Sequence, residues 1–173
     1  HHLSLTDESV EGYNTNFKMS PPLRSRKDVE ALQRGLKEGI IDCVATDHAP
    51  HTQEEKMLEF DEAPFGAIGL ETALGVCLTE LVHPKKMTFS ELVRRMSLAP
   101  AQILRLPEGF GEIRKETEAN LTLVDLHEEW EVKASDFISK STNSCFIGKR
   151  LKGRTVATLC MGKLWVYREE LKR

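Results

Sequence analysis

The pattern of apolar and polar positions along the chain changes character near residue 105. Before this point apolar residues recur at the three- and four-residue spacing of amphipathic helices, and after it short alternating runs predominate. These β-like runs lie at residues 119–124, 130–132, 154–159 and 163–167. We therefore expect two units: residues 1–105, with helices and buried strands, and residues 106–173, a small all-β domain.

Capping residues mark the helix boundaries. Ser25 followed by Asp28, and Thr88 followed by Glu91, have the spacing of a capping box, in which two side chains satisfy free backbone amides reciprocally. Gly39 stands where a helix C-terminus favours glycine. The apolar residues expected on buried helix faces are Val29, Leu32, Leu36, Leu70, Leu74, Cys77, Leu78, Leu81, Phe89, Leu92, Val93 and Met96.

A buried strand is predicted directly after the first helix. Residues 40–46, with the sequence IIDCVAT, are short and mostly apolar, as is typical of a strand covered on both faces in a parallel sheet. A helix followed by such a strand indicates an α/β architecture. Near the end of the chain, residues 160–162 form a short link between two β-like runs and predict a hairpin.

The amino-acid composition excludes two classes of binding partner, nucleic acid and membrane. The 173 residues carry 24 Lys and Arg against 27 Asp and Glu, a net charge of -3, and 40% are hydrophobic, values typical of a soluble globular domain. Without a concentrated basic face we expect no nucleic acid partner, and without a long apolar stretch we expect no membrane span. The cysteines form no C-x-x-C pair, which favours a reducing compartment and a cytoplasmic location.

The most informative cluster is TDHAPH, residues 46–51, which places one carboxylate and two imidazoles at the end of the predicted strand. In β/α barrels the carboxyl ends of the strands carry the active site. An aspartate there can bind a metal ion and also move a proton, a combination suited to hydrolysis. The alternative is a turn aspartate beside two surface histidines. The charged and glycine-bearing residues 52–68 are expected to form a mobile lid.

Several stretches resemble a known family. KMSPPLRS (residues 18–25), IDCVATDHAPH (residues 41–51) and the segment from Phe65 to Thr72 resemble the carboxyl-terminal part of bacterial-type dihydroorotases of the amidohydrolase superfamily. ANLTLVD (residues 119–125) and LKGRTVAT (residues 151–158) resemble their small β domain. The resemblance implies the last strands and helices of a (β/α)8 TIM-like metal-dependent hydrolase barrel in residues 1–105, followed by a small β-sandwich in residues 106–173.

The resemblance also implies an activity and a cofactor. Dihydroorotases interconvert N-carbamoyl-L-aspartate and L-dihydroorotate in de novo pyrimidine (UMP) biosynthesis, at a zinc site of one or two ions. Asp47 matches the aspartate that contacts a metal ion and moves the proton between the metal-bound hydroxide and the ring nitrogen. It is therefore the implied catalytic residue and metal ligand of this chain.

Five positions match residues that bind the small-molecule substrate. His51 matches the histidine that binds the substrate carboxylate, and Ala49, Phe65 and Gly66 match further substrate-binding positions. Ser20 falls where the family usually has an asparagine. Because a hydroxyl is shorter than a carboxamide and offers one donor, we expect a weaker or water-mediated contact from Ser20.

Most implied metal ligands lie outside this chain, in the earlier strands of the family's barrel. A complete β/α barrel takes roughly 250 residues, so an N-terminal barrel segment is the first expected partner. A second copy of the chain, as a homodimer, and aspartate transcarbamoylase are the other partners that the resemblance leaves open. The alternative functions are a hydantoinase or allantoinase relative, a non-catalytic dihydroorotase-like scaffold subunit, and a stand-alone α+β domain.

Overall fold

The structure, a computed structural model, describes residues 1–168 and the backbone of residues 170 and 171. The α-helices are α1 (Arg26–Glu38), α2 (Gln53–Lys56), α3 (Ala73–Cys77), α4 (Phe89–Val93) and α5 (Ala99–Ile103), with π-helical continuations at Leu78–Val82 and Arg94–Leu98. The strands are β1 (Leu121–Glu131), β2 (Arg150–Cys160), β3 (Lys163–Tyr167) and β4 (Glu170–Leu171), and 3-10 turns lie at Asp7–Val10, Thr15–Phe17 and Ala134–Asp136. Within these described residues, no helix has the length and apolar character needed to cross a membrane.

The predicted helix caps are confirmed. At the start of α1 the Asp28 amide donates to Ser25 Oγ at 3.4 Å, and the Ser25 amide donates to the Asp28 carboxylate at 3.1 Å. Thr88 and Glu91 form the same reciprocal pair at the start of α4. Helix α1 ends at Gly39, whose φ of 84° is the left-handed conformation that glycine adopts freely. Local sequence therefore sets both ends of α1.

Helix α3 and its continuation contribute to two apolar clusters. Val76 packs with residues of the N-terminal loop and the sheet, whereas Leu78 and Leu81 pack with residues of α1 and α4. The first cluster consists of Leu5, Met19, Leu23, Ala67, Val76, Val132, Cys145, Phe146 and Leu151. The second consists of Leu36, Cys77, Leu78, Leu81, Met87 and Leu92. One helical run therefore joins the two clusters.

Ten of the residues expected on buried helix faces are buried or half-buried, and two are not. Leu70 lies before α3 and is 63% exposed, and its amide donates to His48 Nδ1 at 3.4 Å. Val93 is 42% exposed, because it lies about 100° around the helix from the fully buried Leu92. The three- and four-residue spacing therefore predicted a buried helix face wider than the observed one.

The strands form one antiparallel sheet in the order β1-β2-β3-β4. The predicted hairpin is confirmed between β2 and β3, where Met161 and Gly162 both have positive φ, 50° and 72°. Two consecutive left-handed residues are the requirement of the type I′ turn that suits the twist of a hairpin. The described strands make one layer, so the β-sandwich stays a prediction.

The π-helical segment Leu78–Val82 packs on the sheet at Gly153 of β2, where the Leu78 side chain approaches the strand closely. A Cβ atom at this position would lie 2.3 Å from Leu78 Cδ1, and the φ of 102° also favours glycine. Trp130 Nε1 donates to the Gly153 carbonyl at 3.0 Å, and the Lys152 amide donates to Thr79 Oγ1 at 2.8 Å. The Trp130 bond joins β1 to β2, whereas the Leu78 and Thr79 contacts attach the helical part to the sheet.

The predicted strand at residues 40–46 is wrong for the described chain. These residues form no strand, Ile40 is 77% exposed, and Asp42 and Ala45 are exposed. The Val44 amide donates to the Arg95 carbonyl at 3.2 Å. A strand needs a hydrogen-bonded neighbour, and no strand of the described residues lies beside this segment.

Candidate active site

Asp47 directly follows the segment of residues 40–46. Its backbone is left-handed, with φ 48°, a conformation that aspartate tolerates better than most residues and that is often found at functional sites. The exposed Asp47 helps to line a cavity of about 260 Å³, together with Ser20, Thr46 and Gly69. The structure therefore brings two predicted site residues, Asp47 and Ser20, to one cavity.

The chain after Asp47 runs beside the glycine-bearing loop of residues 65–69. His48 and Ala67 form a parallel β-bridge, and the Ala49 amide donates to the Ala67 carbonyl at 3.0 Å. His48 Nδ1 accepts from the amides of Gly69 at 3.2 Å and Leu70 at 3.4 Å. Because this nitrogen accepts two hydrogen bonds, it carries no proton in this arrangement. His48 therefore connects two backbone segments.

Gly66 and Ala49, two predicted substrate-binding residues, are in close contact. A Cβ atom on Gly66 would lie 2.7 Å from the Ala49 Cβ, and the Gly66 φ is 99°. The Gly66 amide donates to the Lys18 carbonyl at 2.8 Å. Glycine is required here both by the backbone conformation and by the space available.

His51 is held against the same loop. Its Nε2 lies 3.0 Å from the Phe65 carbonyl oxygen, and its Nδ1 lies 3.6 Å from the Glu55 carboxylate. The Thr52 amide, which donates to Glu55, is the main cause of the lowered pKa of Glu55, and the charge of His51 adds to it. Because Nε2 donates to Phe65, the longer contact to Glu55 is the one that an incoming anion could replace.

Two buried lysines hydrogen-bond to the backbone of the loop that contains residues 61–66. Lys18 and Lys56 are each 8% exposed, and each ammonium donates to two carbonyl oxygens of residues 61–66. The distances are 2.8 Å and 2.7 Å from Lys18 Nζ to Asp61 and Ala63, and 2.9 Å and 3.1 Å from Lys56 Nζ to Pro64 and Gly66. Burial, and secondly the charge of Lys18, lower the pKa of Lys56. These contacts anchor residues 61–66, the backbone wall of the site, to the rest of the chain, and the lid at residues 52–68 stays a prediction.

Asn143, from the second half of the chain, joins three predicted site residues. Its Oδ1 accepts from the His51 amide at 3.1 Å, and its Nδ2 donates to the carbonyls of Ala49 at 2.9 Å and Gly66 at 3.4 Å. Its own carbonyl accepts from the Ile68 amide at 3.0 Å. Sequence reasoning missed Asn143, because the Ala49 bond spans 94 residues and no motif relates the two positions.

The described residues do not supply the complete donor set of a metal centre. Among the residues that the structure describes, no group of three or more His, Cys, Asp or Glu side chains is placed to hold a metal ion. A catalytic zinc site takes three protein ligands and keeps an open position. The accessible carboxylate of Asp47 fits the role of one such ligand, and the other ligands would have to come from elsewhere.

Among the predicted site residues, Asp47 and Ser20 line the cavity, whereas Ala49, His51, Phe65 and Gly66 are not part of its lining. The amidohydrolase family model matches residues 2–164, and this chain belongs to the amidohydrolase family. Among curated relatives, the dihydroorotase of Endomicrobium trichonymphae is 48% identical over 164 residues, 95% of this chain and 39% of that protein. The dihydroorotase of Carboxydothermus hydrogenoformans is 49% identical over 162 residues, 94% of this chain and 37% of that protein.

Solved structures of hydantoinases share the fold. The L-hydantoinase (dihydropyrimidinase) from Arthrobacter aurescens matches with a TM-score of 0.93 and 30% identity, covering 99% of this chain and 39% of that one. The D-hydantoinase (dihydropyrimidinase) from Thermus sp. matches with a TM-score of 0.90 and 25% identity over the same shares. The chain thus spans less than two fifths of the length of the proteins it matches.

Proposed function

We propose that this chain is the carboxyl-terminal part of a dihydroorotase, which interconverts L-dihydroorotate and N-carbamoyl-L-aspartate in pyrimidine biosynthesis. The observation that carries the proposal is the identity of 48% and 49% to two curated dihydroorotases over almost the whole chain. Residues 1–105 would complete a (β/α)8 barrel with an N-terminal segment, and residues 106–173 would belong to a β-sandwich. The apolar and unpaired residues 40–46 support this, because a neighbouring barrel strand would cover them.

Asp47 is the proposed general acid and base. Its carboxylate would take a proton from the attacking water during ring opening and deliver it to the departing ring nitrogen, and the reverse reaction would use the same residue. Its exposure to the cavity and its left-handed backbone conformation support this role.

The substrate would lie between the cavity and the backbone wall. We assign its carboxylate to His51, whose contact to Glu55 is long enough at 3.6 Å to be exchanged. The backbones of Ala49, Phe65 and Gly66 would face the substrate, and the Ser20 hydroxyl would approach it from the other side of the cavity. The rigid hydrogen bonding of this wall supports a role in orienting the ring.

Zinc is the proposed cofactor, with one or two ions. Asp47 would be its ligand from this chain, and the bound ion would activate the attacking water and polarise the amide carbonyl. Since a single carboxylate cannot hold zinc tightly, the isolated chain should bind none stoichiometrically. Metal analysis of the purified chain after dialysis tests this, and tightly held zinc with hydrolytic activity would contradict the division of ligands.

The decisive experiment replaces Asp47 in the complete enzyme. Asp47→Asn should lower kcat by about 10²-fold or more in both directions, the usual size of a general acid-base contribution, with the fold intact. Asp42→Asn, which removes a nearby exposed carboxylate, is the matched control and should keep its activity. If Asp47→Asn kept more than about a tenth of the activity, the non-catalytic scaffold would become the better proposal.

The hydantoinase neighbours favour a second candidate, a hydantoinase or allantoinase relative. The two functions differ in the carboxylate that dihydroorotate carries and that dihydrouracil and hydantoin lack. His51→Ala should therefore raise KM for dihydroorotate by about tenfold or more and leave dihydrouracil turnover little changed. His48→Ala should do less to substrate binding. Efficient turnover of dihydrouracil by the wild-type enzyme would favour the second candidate.

We also propose a cytoplasmic location and leave two assembly partners open. The described cysteines are free, in keeping with a reducing compartment. A homodimer and a complex with aspartate transcarbamoylase are the candidate assemblies of the complete enzyme. Measurement of its mass in solution, with and without aspartate transcarbamoylase, distinguishes them.

A further inference from the structure

We propose that Asn143 is a positioning residue of the active site, which sets substrate affinity by holding the backbones of Ala49, His51 and Gly66 in one arrangement. This inference rests on the proposed function, in which these three residues face the substrate. Like the three residues it binds, Asn143 is not part of the lining of the cavity at Asp47, and it would act on the substrate only through those residues. It therefore adds a residue of the β part to the machinery of the barrel part.

The chemistry of the carboxamide fits this position. Asn143 is 5% exposed, and its side chain accepts from one site amide while donating to two site carbonyls. An asparagine side chain offers both a carbonyl oxygen and an NH₂ group, which serine, aspartate or leucine cannot reproduce together. Loss of the side chain would leave the His51 amide and the Ala49 carbonyl without their partner, which is costly, whereas the Gly66 carbonyl would keep Lys56 as a donor. The amide thus has little freedom to leave this arrangement.

A second side chain fixes the orientation of the amide. The Ser141 hydroxyl lies in hydrogen-bonding contact with both Asn143 Oδ1 and the His51 carbonyl. Ser141 is itself 8% exposed. Since the hydroxyl and the His51 amide converge on the same oxygen, the NH₂ group is directed at Ala49 and Gly66. Ser141 therefore supports the amide and does not replace it.

The expected effect falls on KM. The backbones at Ala49 and Gly66 and the ring of His51 would contact parts of the substrate that do not change charge, so they bind ground state and transition state alike. Asp47 precedes these contacts in the chain and makes none with Asn143. Loss of the amide should therefore weaken binding while proton transfer continues.

The experiment compares variants of the complete enzyme. Asn143→Ala and Asn143→Asp should raise KM for dihydroorotate about tenfold or more and change kcat by less than about threefold. Ser141→Ala, which keeps the amide but frees its orientation, should raise KM by about two- to threefold. Ser144→Ala is the matched control, because Ser144 is 2% exposed in the same segment and its hydroxyl accepts from Phe146, away from the site. The control should leave KM unchanged.

Hydrogen exchange separates this inference from the proposed function. In Asn143→Ala the His51 amide should lose protection, whereas amides of α1 should not. If the wild-type enzyme failed to turn over dihydroorotate, the proposed function would fall, and this exchange pattern would still test the positioning role. Equal KM values for Asn143→Ala and Ser144→Ala, or a loss confined to kcat, would overturn the inference. If Asn143→Ala did not fold, an unchanged KM in Ser141→Ala would overturn it.

Discussion

Residues 40–46 and residues 61–69 show opposite relations between hydrophobicity and burial. The first segment is the more apolar, yet Ile40 is 77% exposed. The second contains acidic residues, proline and glycine, yet Ala63, Ala67 and Ile68 are 2–3% exposed. The two segments differ in their hydrogen-bond partners. Lys18, Lys56 and Asn143 bind the loop of residues 61–69, whereas no strand of the described residues lies beside residues 40–46.

The two segments also differ in the hydrogen bonds of their backbone amides. The amides of Gly66 and Ile68 donate to the carbonyls of Lys18 and Asn143. In residues 40–46, the amides of Cys43, Ala45 and Thr46 donate to no acceptor within the described chain. A row of unpaired amides beside apolar side chains is an edge that pairs readily with another strand. The contrast teaches that an apolar run acquires its structure from its neighbours.

The largest expected effect comes from supplying that neighbour. When the N-terminal barrel segment is added, the amides of Cys43, Ala45 and Thr46 should become protected from hydrogen exchange by about 10³-fold or more, as in a core strand. The Gly66 and Ile68 amides should be protected with or without it. Exchange measured on the chain alone and on the complete protein checks this. Protection of residues 43–46 in the chain alone would break the contrast.

A second test crowds the fixed loop. Gly66→Ala adds a Cβ 2.7 Å from the Ala49 Cβ at a positive φ, so it should cost about 2–4 kcal/mol of unfolding free energy. Gly12→Ala is the control, because Gly12 has a similar φ of 87° and no atom within 4 Å of the added Cβ. The control should cost only about 1–2 kcal/mol. Denaturant unfolding of both variants measures the difference.

A third test removes one of the buried cations. Lys56→Met keeps the length of the side chain but leaves the Pro64 carbonyl without its donor and the Gly66 carbonyl with Asn143 Nδ2 alone at 3.4 Å, so we expect a loss of about 2 kcal/mol. Lys37→Met, on the exposed side of α1, should change stability by less than about 0.5 kcal/mol. Thermal unfolding of the complete protein measures both. Equal effects would mean that the loop does not depend on Lys56.

The smallest effect is a dependence on pH. The pKa of Lys56 is lowered in the fold from its ordinary 10.5, so the unfolded chain holds this proton more tightly. Between the lowered pKa and 10.5 the unfolded state binds more protons, and stability from this residue therefore rises with pH. The stability advantage of the wild type over Lys56→Met should grow by less than about 1 kcal/mol from pH 8 to pH 10. A shrinking advantage would contradict the direction of the pKa shift.

Local features of the fold could be predicted from the sequence. Ser25 with Asp28 and the Met161–Gly162 turn act over a few residues, so their chemistry is complete within the printed sequence around them. Residues 40–46 were mistaken for a paired strand because hydrophobicity predicts burial only if a neighbour exists. The strands were predicted only in part. Strand β1 joins two β-like runs, residues 119–124 and 130–132, which the sequence pattern separated because the residues between them are mostly polar.

The candidate site likewise contains residues that the sequence predicted and one that it could not predict. The positions of Asp47, Ala49, His51 and Gly66 followed from a resemblance carried by contiguous motifs, and the structure brings the last three together. Asn143 could not be predicted, because its role depends on folding of the second half of the chain onto the first. Polar residues in loops are common, and without a contact nothing distinguishes one that holds a site from one that faces water.

The bond between Asn143 and Ala49, which spans 94 residues, also determines when the site can form. Contacts between distant residues form late, because closing a long loop costs entropy before the contact is made. A ribosome synthesises the TDHAPH motif well before it reaches Asn143. A nascent chain stopped at residue 140 would contain Asp47 and His51 but not the amide that arranges their surroundings. We therefore expect substrate affinity to mature only after the segment that carries Asn143 has left the ribosome.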